Sequence, residues 1–319
     1  MGGVRQPNSN ALDPSKFKDP YITASGETRA QVSLDVLRML WINTGTLCNL
    51  TCAHCYIESS PRNDRLEYIT LAEVCLYLDE IRDQNLATQE IGFTGGEPFM
   101  NPDIIKMLEE TLSRGFRVLV LTNAMKPMWH HKSSLEALKL RFNDKLVIRV
   151  SVDHYTQQRH EEERGVGSWK PMLSGLIWLS QNQINFDVAG RTPWGEADSA
   201  IREGYAKLFA KYNILLDAKN PSRLVLFPEM DANQDVPEIT EQCWSVLNID
   251  PGAMMCATSR MIVKRKNAKK PKVIACTLLP YDEKFDLGTT LTGASCDVSL
   301  NHPHCAKFCV LGGGACSQG

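Results

Sequence analysis

Cys48, Cys52 and Cys55 stand in a C-x3-C-x2-C spacing within Asn43-Thr-Gly-Thr-Leu-Cys-Asn-Leu-Thr-Cys-Ala-His-Cys-Tyr56. Three thiolates in so short a segment make a ligand set for a soft metal centre: zinc, Cu(I) or an iron–sulfur cluster. A structural zinc ion closes four protein ligands around itself. Three cysteines are one fewer than a cubic [4Fe–4S] cluster takes, so they leave one metal open to another ligand. Further on, Gly95-Gly-Glu-Pro98 follows the apolar run Ile91-Gly-Phe-Thr94 and reads as the glycine-rich exit of a strand carrying a carboxylate. Taken singly these features are ambiguous. Cys52 and Cys55 also suit a redox pair, a disulfide or half a zinc site, and Gly-Gly-Glu-Pro suits an ordinary turn.

The elements that must hold these motifs alternate along the chain. Leu40-Trp-Ile-Asn43 reads as a strand ending at the cysteine loop, and Leu71, Val74, Cys75, Leu78 and Ile81 keep helical spacing, which makes Cys75 a buried helix residue rather than a ligand. Strands over 91–94, 118–122, 146–152, 186–189 and 224–227 are predicted, with helices over 102–114 (stopped by Gly115), about 130–140, 169–182 and 197–212 between them. Six strand–helix repeats predict an α/β fold: an open, partial (β/α)6 TIM-like barrel with a small cysteine-rich C-terminal extension. Sites in such sheets form at the C-terminal ends of the strands, and both motifs fall there. Residues 1–35 are polar, broken by Pro7, Pro14 and Pro20, and read as an extended arm lying on the body. The expected division is an arm over 1–35, a barrel over 36–235 and a cysteine-rich region over 236–319.

Composition narrows the function classes. Lys and Arg total 35 against 37 Asp and Glu, and a net charge of −2 offers no electrostatic footprint for nucleic acid or a membrane surface. No apolar run approaches the roughly 20 residues a membrane span needs. The N-terminus lacks the apolar core of a signal peptide, so a cytoplasmic protein is expected. Met1-Gly2 fails as a myristoylation motif because residue 6 is Gln. Eleven cysteines without an export signal point to metal ligation rather than disulfides.

The cysteine triad and the Gly-Gly-Glu-Pro turn, in this order, closely resemble the radical S-adenosylmethionine (radical SAM) enzymes, over about residues 38–230 and more weakly beyond. The resemblance implies that Cys48, Cys52 and Cys55 hold a [4Fe–4S] cluster whose fourth iron chelates S-adenosylmethionine, and that Gly95, Gly96 and Glu97 meet the ligand's ammonium. It puts Thr122 and Asn123 at the ribose, where a helix cap or Asx-turn is the other reading. Ser151 and Asp153 share one side of a strand. Ser151 with Arg164 looks like the family's pair on the cofactor carboxylate, a role suited to a guanidinium fork; a solvated salt bridge is the alternative. His54 occupies the position near the adenine, or else packs against its own loop. Asp153, His154, Tyr155, Arg191, Trp194 and Glu229 lie at or after strand ends, with Tyr155, Asp153 and Arg191 the catalytic candidates and a structural polar role the competing reading. Tyr155 could donate a proton or relay a hydrogen atom.

Seven cysteines crowd the end of the chain: Cys243, Cys256, Cys276, Cys296, Cys305, Cys309 and Cys316. Cys256 and Cys276 flank a hairpin-like stretch, and a C-x3-C-x6-C run over 305–316 can fold back towards them. This resembles the SPASM and Twitch extensions of radical SAM enzymes, which bind auxiliary iron–sulfur clusters, although each interval carries one extra residue and the final ligands are lacking. The favoured set for one auxiliary [4Fe–4S] cluster is Cys256, Cys276, Cys305 and Cys309, with Cys316 as substitute. A structural zinc completed by His302 or His304, and a second cluster using Cys243 or Cys296, are the alternatives.

By this resemblance the enzyme cleaves S-adenosylmethionine reductively to methionine and a 5′-deoxyadenosyl radical, which takes hydrogen from an unactivated carbon, with oxidation or bond formation as the outcome. A reductant such as flavodoxin or ferredoxin is implied. A small metabolite is the leading substrate class and a ribosomally made peptide the second. A non-catalytic iron–sulfur carrier has no use for 95–98 and Arg164.

Overall fold

The computed structural model describes residues 11–228 and 231–313. In chain order its strands are β1 (Gln31–Val32), β2 (Met39–Asn43), β3 (Glu90–Thr94), β4 (Arg117–Thr122), β5 (Leu146–Asp153), β6 (Phe186–Arg191), β7 (Leu224–Phe227), β8 (Ser259–Val263), β9 (Lys272–Ile274) and β10 (Val298–Ser299). Helices α1 (Leu71–Asp83), α2 (Ile104–Ser113), α3 (Lys126–Trp129), α4 (Lys132–Phe142), α5 (Gln157–Arg164), α6 (Trp169–Gln181), α7 (Asp198–Lys211), α8 (Gln242–Leu247) and α9 (Met255–Thr258) connect them. One eight-stranded sheet runs in the order β7-β6-β5-β4-β3-β2-β8-β9. Its pairings are parallel except β8 with β9.

Local sequence explains the elements that were legible. β2 is buried at every position, as a parallel strand covered on both faces must be. α1 starts at a capping box, in which Thr70 accepts from the Glu73 amide while the Glu73 carboxylate takes the Thr70 amide at 2.9 Å. Val74, Tyr77, Leu78 and Ile81 then turn one apolar face of α1 into the main core. Cys75 sits on the same helix half-buried, less enclosed than its spacing predicted.

Three features differ from the sequence reading. α5, a polar run of Gln, Arg, His and Glu with no apolar stripe, is a helix because His160 and Glu163 turn inward against the barrel. The hairpin β8–β9, expected to belong to the C-terminal extension, joins the main sheet, with Met39 to Ile42 of β2 beside Ser259 to Ile262 of β8. The expected division at 235/236 therefore crosses a hydrogen-bonded sheet. The N-terminal arm, from residue 11 on, is tied to the C-terminal part through β1–β10 and through bridges of Ala11 with Gln234 and Arg29 with Thr240. Arg29 is fully buried there, ion-paired to Glu238 and over the Phe17 ring at 5.5 Å.

A second core, from Phe17 and Val32 through Met254, Leu278 and Leu300 to Phe308, forms beside the sheet and includes Cys256 and Cys305. Among the described residues no helix is long and apolar enough to cross a membrane.

Candidate functional site

At the C-terminal end of the parallel strands a cavity encloses, with its open mouth, about 1140 Å3 of space free of protein atoms. Cys48, Cys52, His54 and Cys55 line it together with Gly95, Gly96, Thr122, Asn123, Ser151, Asp153, Arg164 and Arg191. The three loop cysteines make no disulfide. Burial pushes the Cys48 thiol up to about 12, and burial also raises Cys52, so both are protonated thiols until a metal displaces the proton.

The cysteine loop is held from two sides. On one, the Gly96 and Glu97 amides donate to the Gly45 and Leu47 carbonyls at 2.8 and 3.1 Å, so the glycine turn runs directly against the approach to Cys48. Only glycine allows this: a Cβ on Gly96 would lie 2.1 Å from the Leu47 oxygen, and Gly95 holds φ +135°. On the other side, the Ala53 amide donates to the Glu163 carbonyl at 2.7 Å, and Glu163 Oε2 lies 2.8 Å from both His54 Nδ1 and Arg191 Nη1. Glu163 is a site residue the sequence reading missed. Nothing in the spacing of Glu163-Arg164-Gly165 shows that the carboxylate turns back onto the cysteine loop.

Glu97 is 1% exposed, and its carboxylate accepts from Thr122 Oγ1 at 2.8 Å, the Asn123 amide at 2.9 Å and the Phe99 amide at 3.2 Å. Burial pushes it up to about 7, against these donors. It braces the Thr122–Asn123 corner, and the wall itself is made by the two glycines. Asn123 closes an Asx-turn on the Met125 amide and donates to Asn49 of the cysteine loop at 2.9 Å.

Arg164 faces the cavity with its side edge on Asp153, Nε to Oδ2 at 2.7 Å and Nη2 to Oδ1 at 3.1 Å. Burial disfavours its charge, but the Asp153 carboxylate outweighs that and pushes it further up. Asp153, at φ +56°, is thereby an ion-pair partner of Arg164 rather than a free carboxylate. Tyr155 is not brought to this cavity. It packs against Gly204 of α7 and donates to Glu196 at 2.7 Å, in a separate cluster with His154, Trp194 and Arg159. Glu229 lies outside the described residues.

The cavity's far wall comes from the cysteine-rich part: Leu278, Phe308 and, across from it, Phe227 at 5.9 Å between ring centroids. Phe308 belongs to a π-helical turn, Cys305–Val310, that also carries Cys305 and Cys309. Burial pushes the Cys305 thiol well up, and the four favoured cysteines share the second core, with Cys256 and Cys305 inside it and Cys276 and Cys309 packed against it. Cys243 instead receives the Thr240 amide and hydroxyl at 3.4 Å, Cys296 is exposed, and Cys316 lies outside the described residues. The His302 and His304 rings lie 4.7 Å apart at a tilt of 52°, burial pushing His302 down to about 3. Among the described residues no three His, Cys, Asp or Glu side chains converge on a single-ion position. Each cysteine of a [4Fe–4S] cluster binds a different iron, so cluster ligands stand further apart than those of one zinc ion.

Residues 42–192 match the family model described as the Radical SAM superfamily. The chain is 33% identical over 194 residues to the antilisterial bacteriocin subtilosin biosynthesis protein AlbA of Bacillus subtilis (strain 168), covering 59% of this chain and 41% of that one. It is 25% identical over 142 residues to an AdoMet-dependent heme synthase of Oleidesulfovibrio alaskensis, covering 44% and 34%. The chain thus spans well under half the length of these two relatives. In fold it is similar to Streptococcus suis SuiB bound to S-adenosylmethionine, with a TM-score of 0.57 at 13% identity, covering 80% of this chain and 63% of that one.

Proposed function

From a chain that belongs, over residues 42–192, to the radical SAM superfamily, we propose an enzyme whose Cys48, Cys52 and Cys55 hold the [4Fe–4S] cluster beside S-adenosylmethionine. The single observation that carries this is the convergence on one cavity of three unpaired cysteines, the Gly95–Gly96 wall and the buried guanidinium groups of Arg164 and Arg191. Thiolate donors fit iron, and the guanidinium groups fit an amino-acid ligand bearing a carboxylate. When bound, the cluster and S-adenosylmethionine together supply reductive cleavage of the sulfonium bond and hydrogen abstraction from an unactivated carbon. The residues of this chain bind, orient and shield. Gly95 and Gly96 bring backbone against the cysteine loop, Glu97 fixes Thr122 and Asn123, and Leu278, Phe227 and Phe308 close the far wall with apolar surface that keeps water from the reacting carbon.

Cys256, Cys276, Cys305 and Cys309 are the proposed ligands of an auxiliary [4Fe–4S] cluster in a SPASM/Twitch-like region whose Leu278 and Phe308 line the cavity, where it would accept the electron that a substrate radical gives up. Their common place in the second core supports this set. A peptide substrate becomes the leading reading, on the 33% likeness to a bacteriocin biosynthesis protein. A small molecule is the second, on the 25% likeness to a heme synthase. A flavodoxin- or ferredoxin-type reductant, a cytoplasmic location and no nucleic-acid partner complete the proposal.

Anaerobic reconstitution tests it. The parent is expected to bind iron and sulfide and to form 5′-deoxyadenosine on reduction, and the Cys48, Cys52, Cys55 triple alanine variant to lose one cluster's iron and that product. Product at the parent rate from the variant would sink the proposal.

A further inference from the structure

Of the arginines lining the cavity, Arg191 leaves the most buried donors unpaired. Arg149 is committed to Asp187, and Arg164 lies edge-on against Asp153. Arg191, 8% exposed at the end of β6, pairs with Glu163 through Nη1 only, and its Nε and Nη2 are buried without a hydrogen-bond partner. Buried guanidinium donors without an acceptor are costly, and a fold that keeps two of them on a residue lining a cavity is suited to a ligand that supplies one. Nε and Nη2 are two parallel donors in one plane, which matches the two coplanar oxygens of a carboxylate.

We propose that the Nε–Nη2 edge of Arg191 is a carboxylate receptor in the cavity wall, with Glu163 holding the guanidinium from its opposite end. The assignment deepens the proposed function and rests on that site. Glu163 leaves the Arg191–Glu163 pair neutral, so recognition here depends on the geometry of the two donors more than on net charge. The carboxylate has two sources, the methionine end of S-adenosylmethionine or an acidic group or chain end of the substrate.

Three probes on the reconstituted holoprotein separate them: S-adenosylmethionine, its decarboxylated analogue, and N-acetylalanine added to S-adenosylmethionine-saturated protein. Arg191→Lys keeps the charge and removes the fork. It is expected to weaken one carboxylate probe by about ten- to a hundredfold, the loss of a charge-assisted pair, and to leave the decarboxylated analogue unchanged. Loss on S-adenosylmethionine assigns the receptor to the cofactor, and loss on N-acetylalanine assigns it to the substrate. Unchanged affinity for both carboxylate probes, an equal loss for the decarboxylated analogue, or a shifted cluster potential with no change in binding overturns the receptor. Should the lysine variant not keep the parent's melting temperature, Arg191→Gln is read in the same way. A parent that binds N-acetylalanine and holds no iron would overturn the radical SAM reading and leave the receptor standing.

Discussion

Glu163 Oε2 stands 2.8 Å from His54 Nδ1, joining the penultimate residue of α5 to the middle of the cysteine loop across 109 residues of chain. The same carboxylate holds Arg191, and the Glu163 backbone carbonyl holds Ala53. Helix α5 is therefore the clamp that keeps Cys52 and Cys55 at the cavity. Glu163→Ala is expected to leave most of the barrel folded but to loosen that loop. Iron release to a ferrous chelator, followed by absorbance, should be several-fold faster than in the parent; an unchanged rate would remove Glu163 as the clamp.

Gly96→Ala attacks the other support. The added Cβ meets the Leu47 carbonyl at 2.1 Å, and backbone cannot swing away as a flexible side chain would. A destabilisation of about 1–3 kcal/mol is expected from overpacking. Denaturant unfolding measures it, and iron content after reconstitution should fall with it. A variant with parent stability would show that the turn and the loop are not packed as described.

Cys305 is buried with Cys256 in the second core, and Cys276 and Cys309 pack against it. Cys305→Ala should lower iron by one cluster's worth and leave the iron bound at Cys48, Cys52 and Cys55 in place, which separates the two centres by metal analysis. Zinc in place of the lost iron would make the group a structural clasp. No change in any metal would show that Cys305 is not a ligand.

His160 supplies a pH-dependent contribution to stability. It is fully buried, its Nδ1 faces the Val152 carbonyl, Nε2 has no partner, and burial pushes its pKa down to about 4 from 6.5. The unfolded chain then takes up a proton at higher pH than the folded one does. The stabilisation is fully present above about pH 6.5 and is lost as pH falls through that value towards about 4. His160→Asn, which keeps a donor for Val152, should flatten the stability curve across that window; an unchanged slope in denaturant midpoints would assign the pH dependence elsewhere.

The cysteine triad, the glycine turn and most of the barrel were legible because each is written in local pattern. The C-x3-C-x2-C spacing reads as a ligand set for a soft metal centre, and the runs that became β2 to β7 are apolar because parallel strands are buried on both faces. The four cysteines of the second group could be picked from their spacing, but that Cys305 shares one core with Cys256, Cys276 and Cys309 is a property of the folded C-terminal part. What only the tertiary structure decided depends on pairings between distant segments. Glu97 is enclosed because Thr122 and the Asn123 amide at the end of the next strand donate to it, and a strand-exit motif does not say which donors its carboxylate will meet. Helix α5 has no apolar stripe to announce it, and its order comes from His160 and Glu163 finding partners on β5, β6 and the cysteine loop. Hairpin β8–β9 joins the barrel sheet because the free edge of β2 offers a ladder of unpaired amides and carbonyls, and no local signal in 259–274 records which edge it will meet.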